Sequence, residues 1–150
     1  MAARLAQLDA ANAKTYQERL AQFNTRWTAA LQKWDQQAKP LRGMLVVAHH
    51  KNMDYLWSWL GVKEVGTLEP KPGVEPTVSH LAELKAQLAS QPVKMVVRAA
   101  YEDARASQWL SGQAKIPAVA LPFTVGGSDK TQDLFGLFDT TVALLVEAAK

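Results

Sequence analysis

The strongest constraint on the fold is an alternation. Four short apolar runs, "GMLVVAHH" (43–50), "VKEVGTLEP" (62–70), "VKMVVRAA" (93–100) and "IPAVALP" (116–122), are each followed by a stretch with helical spacing. Apolar runs with little alternation of polar residues are what a strand buried on both faces requires. Such strands interleaved with helices predict a parallel sheet covered on both sides. The run at 62–70 is the least apolar of the four. The intervening helices are "MDYLWSWLG" (53–61), closed by Gly61, and "TVSHLAELKAQLAS" (77–90), with Thr77 as N-cap. In the second of these, Leu81, Leu84 and Leu88 share one face. "DARASQWLSG" (103–112) and the terminal "SDKTQDLFGLFDTTVALLVEAAK" (128–150) complete the set, the last with Leu134, Phe138, Val142 and Leu145 expected inward.

A long helix precedes these units. Asp9 is placed to cap it, and Tyr16, Leu20, Phe23, Trp27, Leu31 and Trp34 recur as one helical stripe. Pro40 ends it. About 30 residues at ~1.5 Å each would span roughly 45 Å, long for one small domain. The expected architecture is a three-layer α/β sandwich with a four-stranded parallel sheet. Residues 1–40 form a long N-terminal linker helix and residues 41–150 an α/β lobe.

The chain has no cysteine, which excludes disulfides, thiolate nucleophiles and sulfur-based zinc sites. Any metal must be held by His, Asp or Glu. The net charge is +3 and the 17 basic residues are scattered, with no run that marks a nucleic-acid surface. No segment reaches the roughly 18 to 20 apolar residues of a membrane span. The first 14 residues lack the apolar core and cleavage site of a signal peptide.

Right-handed crossovers place the C-terminal ends of parallel strands on one edge, where ligands bind. The edge segments here are "HHKN" (49–52), "LEPKPG" (68–73), "AAYED" (99–103) and "LPFTVGGSD" (121–129). His49 and His50 are two of only three histidines. Neighbours on a strand point to opposite faces, so one of them turns toward the crevice while the other packs. His80 falls within a helix beside inward leucines and reads as structural. Gly126, Gly127 and Ser128 match neither GxGxxG nor GxxxxGK[ST], and read as a turn in which Ser128 or Asp129 caps the last helix. Glu102 and Asp103 read as a solvated turn capping the helix from 104. There is no GxSxG nucleophile elbow, and no residue is assigned a catalytic role. Trp57 and Trp59 are two apart on a helix and cannot share a core face. One of them is expected to be exposed or to meet another surface.

Several of these segments together carry a family resemblance. They are "DAANAKTYQERLAQF", "VVAHHKNMDYLWSWLG", "LEPKPGVEPTVSHLAEL", "LPFTVGG" and "DLFGLFDTTVALL". In this order the chain resembles the C-terminal lobe of the periplasmic solute-binding proteins of zinc and manganese ABC transporters. The resemblance implies two α/β lobes joined by a long helix, with one metal ion between them. The partners it implies are an N-terminal lobe outside this chain and a membrane permease. The family's C-terminal-lobe ligand stands five residues before a tyrosine. Before Tyr55 that position is His50, so His50 rather than His49 inherits the ligand role.

A histidine there resembles the zinc-type members, where manganese-type members carry Glu; imidazole suits zinc and carboxylate suits manganese. The other ring nitrogen should be held by a hydrogen-bond acceptor. Protons should compete with the metal, so that affinity falls on acidification. The chain also departs from the pattern. The family's Asp ligand falls at Val125, with Asp129 four residues late, and a Glu common at the third strand's end is Ala99. One imidazole cannot hold zinc tightly, so the isolated chain should bind it weakly. Two other readings stand beside this one: an interaction lobe that binds no metal, and a phosphate- or nucleotide-binding domain built on "VGGSD".

Overall fold

The computed structural model describes all 150 residues. It divides into two compact units, Met1–Gln36 and Gln37–Lys150.

In the first unit, helix α1 (Ala2–Leu8) and a single 3-10 turn (Ala10–Asn12) precede α2 (Ala13–Gln37). Asp9 therefore interrupts the helical run and does not cap a continuous helix. Its carboxylate accepts hydrogen bonds from the Asn12 amide and the Tyr16 hydroxyl, both at 2.8 Å, and from no helix amide. Those two bonds, Asn12's first, hold the Asp9 carboxyl below its usual range. The aromatic stripe is realised along α2. Phe23 stacks on Trp27 at 5.6 Å, and Trp27 meets Trp34 edge-on at 5.3 Å.

The second unit contains strands β1 (Leu45–Ala48), β2 (Lys63–Thr67), β3 (Val93–Ala99) and β4 (Ala118–Leu121). They form one parallel sheet in the order β2-β1-β3-β4. This matches the expected sandwich. Helices α4 (Val78–Leu88) and α5 (Ala104–Ala114) pack side by side on one face. Their Leu81, Leu84, Leu88 and Leu110 close over Val47 and Val96. Burying each such side chain contributes about 1.5–3 kcal/mol. A Cβ at Gly66 of β2 would lie 2.8 Å from Leu84 Cδ1, so the glycine lets α4 sit close to the sheet. Val46, Met95 and Val97 alternate to the other face and are also fully buried. That face carries α3 (Asp54–Leu60) and α6 (Leu134–Ala148).

The expectation about the α3 tryptophans is met within the lobe, and the expected start of α6 needs correction. Trp57 is buried, and its indole donates to Glu64 Oε2 at 2.9 Å. Trp59 is half-buried and meets Phe138 of α6 edge-on at 5.8 Å, so it finds its surface inside the same lobe. The last helix begins at Leu134, six residues later than its sequence pattern suggests. Asp133 is its cap, accepting the Gly136 amide at 2.7 Å. Residues 126–131 close a separate turn around the buried Thr131. Thr131 accepts the Gly126 amide through its carbonyl at 2.7 Å and the Ser128 amide through its hydroxyl at 2.8 Å. Ser128 and Asp129 therefore cap nothing. Leu134, on the first turn of α6, is exposed, while Val142 and Leu145 are buried as expected.

Candidate functional site

The sheet order makes β1 and β3 neighbours whose onward connections leave in opposite directions, to β2 and to β4. The crevice of an open α/β sheet lies at such a point, outside the strand C-termini. His49 and His50 stand there. The β1 ladder runs one residue past Ala48: the His49 amide donates to Val97 O at 2.7 Å and the Glu69 amide to His49 O at 3.1 Å. The chain then turns, with the Asn52 amide donating to His50 O at 3.0 Å.

The two imidazoles end in different surroundings. His49 is 7% exposed, and its buried Nδ1 has no hydrogen-bond partner. It lines a cleft of about 620 Å³ together with Glu75, Tyr101, Asp103, Arg105 and Trp109. His50 is partly exposed, and its Nδ1 lies 2.6 Å from Glu69 Oε2. The same carboxylate oxygen accepts the Gly73 amide at 3.0 Å. Burial raises the Glu69 carboxyl, but the hydrogen bonds from His50 and Gly73 outweigh it and leave the group below its usual range. Glu69 is therefore the ionised partner. Tyr55, five residues beyond His50, is 95% exposed.

Glu69 escaped the reading of the sequence, although its segment was placed at the functional edge. It sits two residues past β2, the strand hydrogen-bonded to β1. The loop around it is tied down locally. The Thr67 hydroxyl donates to Glu69 O at 2.8 Å, and His80 Nε2 donates to Thr67 O at 2.9 Å. The His80 amide in turn meets the Thr77 cap at 3.3 Å. His80 is thus a structural brace, as its helical position suggests.

The acidic pair after β3 is committed to its own turn. Glu102 Oε2 accepts the Ala99 amide at 2.6 Å, and Asp103 caps α5 through the Arg105 amide at 2.7 Å. The side chain of Arg105 also holds the Asp103 carboxyl below its usual range. Arg98 Nη1 donates to the carbonyls of Ala99, Ala100 and Glu102. Across the crevice, Asn52 Nδ2 donates to the Tyr101 hydroxyl at 3.3 Å.

Of the remaining candidates, Val125 is exposed and has no donor atom, and Asp129 lies in the turn before α6. Ala99 is fully buried. No three His, Asp or Glu side chains gather closely enough to hold a metal ion. The Gly126–Gly127 turn is separated from the α6 N-terminus by the turn around Thr131, so its amides are not at a helix end where phosphate could be cradled. His50 is the one imidazole here that combines partial exposure with a carboxylate on one ring nitrogen.

Solved structures share this fold. The chain matches a crystal structure of ZnuA with a TM-score of 0.76 at 19% identity, covering 99% of this chain and 54% of that one. It matches a mutant structure of the laminin-binding adhesin Lmb from Streptococcus agalactiae with a TM-score of 0.75 at 19% identity, covering 99% and 56%. It also matches FpvC from Pseudomonas aeruginosa, described as a solute-binding protein in complex with Mn2+, with a TM-score of 0.72 at 22% identity, covering 99% and 56%. The chain thus spans about half the length of the solved structures it resembles. No curated protein is significantly similar to it in sequence. Residues 1–148 match the model of the family described as zinc-uptake complex component A, periplasmic, or ZnuA. A match over nearly the whole chain settles its kinship: the chain belongs to the ZnuA family.

Proposed function

We propose that this chain is the C-terminal lobe of a periplasmic solute-binding protein that captures zinc and passes it to an ABC permease. It is a receptor lobe and performs no catalysis. Zinc is its cargo, and His50 supplies one ligand through Nε2. The observation that carries this reading is the partly exposed His50 imidazole at the β1 edge with Glu69 on its other ring nitrogen. Metal-binding histidines characteristically have the second nitrogen engaged by a carboxylate, carbonyl or water. Family membership and the Mn2+ complex of a relative with the same fold support metal as the cargo class. A histidine at this position favours zinc over manganese.

In this reading residues 1–40 form the linker helix and 41–150 the metal-binding lobe. Zinc needs three or four protein ligands for tight binding, and an N-terminal lobe supplies the others. The chain alone holds zinc weakly. The test is calorimetric titration of zinc into the two-lobe protein, wild type and His50→Ala. The expected result is an affinity loss greater than the roughly 10–100-fold that removing only a ligand's hydrogen-bond partner costs. Equal affinities would refute His50 as a ligand. No zinc binding by the intact wild type would leave a lobe that serves interaction only.

A further inference from the structure

We infer that Glu69 is a positioning residue that sets the tautomer and ring orientation of His50, so that Nε2 faces outward with its lone pair free. This rests on the reading of His50 as a metal ligand, but its main test does not need the metal.

A neutral imidazole has one N–H and one bare nitrogen, and only the bare nitrogen can bind a metal. Glu69 Oε2 already accepts the Gly73 amide and so acts as an acceptor, which means that the ring nitrogen it meets carries the proton. That nitrogen is Nδ1, at 2.6 Å. Nε2 is left bare. A short charge-assisted bond of this kind also fixes the plane of the ring.

Glu69 is itself held from two directions. The Gly73 amide donates to the same oxygen at 3.0 Å, and Gly73 adopts φ +78°, a backbone conformation natural to glycine. The Glu69 backbone is fixed by the hydrogen bond its N–H donates to His49 O and by the one its carbonyl accepts from the Thr67 hydroxyl. The side chain that orients the ligand is thus anchored to both β1 and the loop after β2.

His80 provides an internal reference. Its Nε2 lies 2.9 Å from Thr67 O, a carbonyl that can only accept. The proton of His80 therefore sits on Nε2, the opposite tautomer to His50. Two histidines of one chain should show opposite tautomers in one spectrum.

The test is nitrogen-15 NMR of the imidazoles in the metal-free full chain, at a pH well above the ordinary histidine value of about 6.5 so that the rings are neutral. In the wild type, His50 should appear as the Nδ1–H form and His80 as the Nε2–H form. In Glu69→Ala, His50 should lose its Nδ1–H preference, while His80, still bonded to Thr67, reports that the loop and fold survive. In Glu69→Gln, whose amide oxygen can still accept, the Nδ1–H form should persist. A His50 tautomer unchanged in Glu69→Ala, or Nε2–H in the wild type, would overturn the inference. Zinc affinity of the two-lobe protein should fall about 10–100-fold in Glu69→Ala, the usual cost of removing such a partner. An undiminished affinity would also count against the positioning role. If His50→Ala alone leaves affinity unchanged, the ligand assignment fails, whatever the tautomers show.

Discussion

His49 and His50 are adjacent in the chain yet chemically separated by the fold: the His49 Nδ1 is buried without a partner, while the His50 Nδ1 is engaged by Glu69 at 2.6 Å. A buried polar atom left unpaired costs about 1–3 kcal/mol. Replacing it with an apolar ring of similar size removes that cost. His49→Phe should keep the fold, hold or raise the melting temperature, and leave zinc affinity of the two-lobe protein within about twofold. A large loss of zinc affinity in His49→Phe, with His50→Ala unaffected, would transfer the ligand role to His49.

Glu64 offers a pH-dependent test. Burial pushes its carboxyl above the ordinary 4.5; the Trp57 indole bond opposes the rise and nearby Asp54 adds to it. The folded state then holds the proton more tightly than the unfolded chain. Stability falls as pH rises from about 4.5 through the folded value, and the cost is complete above it. Glu64→Gln keeps an acceptor for Trp57 and carries no charge. Its melting temperature should exceed that of the wild type at pH 7, and the gain should vanish near pH 4. A gain of the same size at both pH values would show that charge burial is not the cause.

Gly136 stands in the first turn of α6. A Cβ there would lie 2.6 Å from the backbone carbonyl oxygen of Lys130. Backbone cannot swing away as the tip of a side chain can. Gly136→Ala should destabilise the chain by roughly 1–3 kcal/mol, the usual cost of overpacking. Denaturant unfolding measures it, and a neutral or stabilising result would show that the turn at 126–131 gives way freely.

Trp59 and Phe138 join the crossover helix α3 to the terminal helix α6 edge-on at 5.8 Å. A double-mutant cycle with Trp59→Ala and Phe138→Ala should return a coupling of about 0.5–1.5 kcal/mol. Additive effects would mean that the two rings merely adjoin.

Much of this architecture is legible along the chain. The central strands β1 and β3 fall inside the apolar runs at 43–50 and 93–100 because burial on both faces demands a nearly continuous apolar segment, while the edge strands β2 and β4 lie within the runs at 62–70 and 116–122 and are less buried. Helix α4 was readable as well, since Thr77 can satisfy the first-turn amides and Leu81, Leu84 and Leu88 repeat at helical spacing. The start of α6 was not readable. Ser128, Asp129 and Asp133 are all good caps by type, and the choice among them depends on the turn that closes around Thr131. The partner of Trp59 was equally hidden, because periodicity tells which residues share a face and not which helix that face will meet.

For the candidate site, the sequence by itself determined the class of sheet and the edge where the strand ends gather, and the family resemblance pointed to His50 through its offset from Tyr55. All of these depend on spacing along a few turns or one strand. The tertiary structure alone decided which nitrogen of His50 is bonded and what bonds it. Glu69 lies 19 residues away and reaches the ring only because β2 pairs in parallel with β1. A local pattern can single out a histidine, but the partner of its ring nitrogen is set by a hydrogen bond that does not exist until the two strands are side by side.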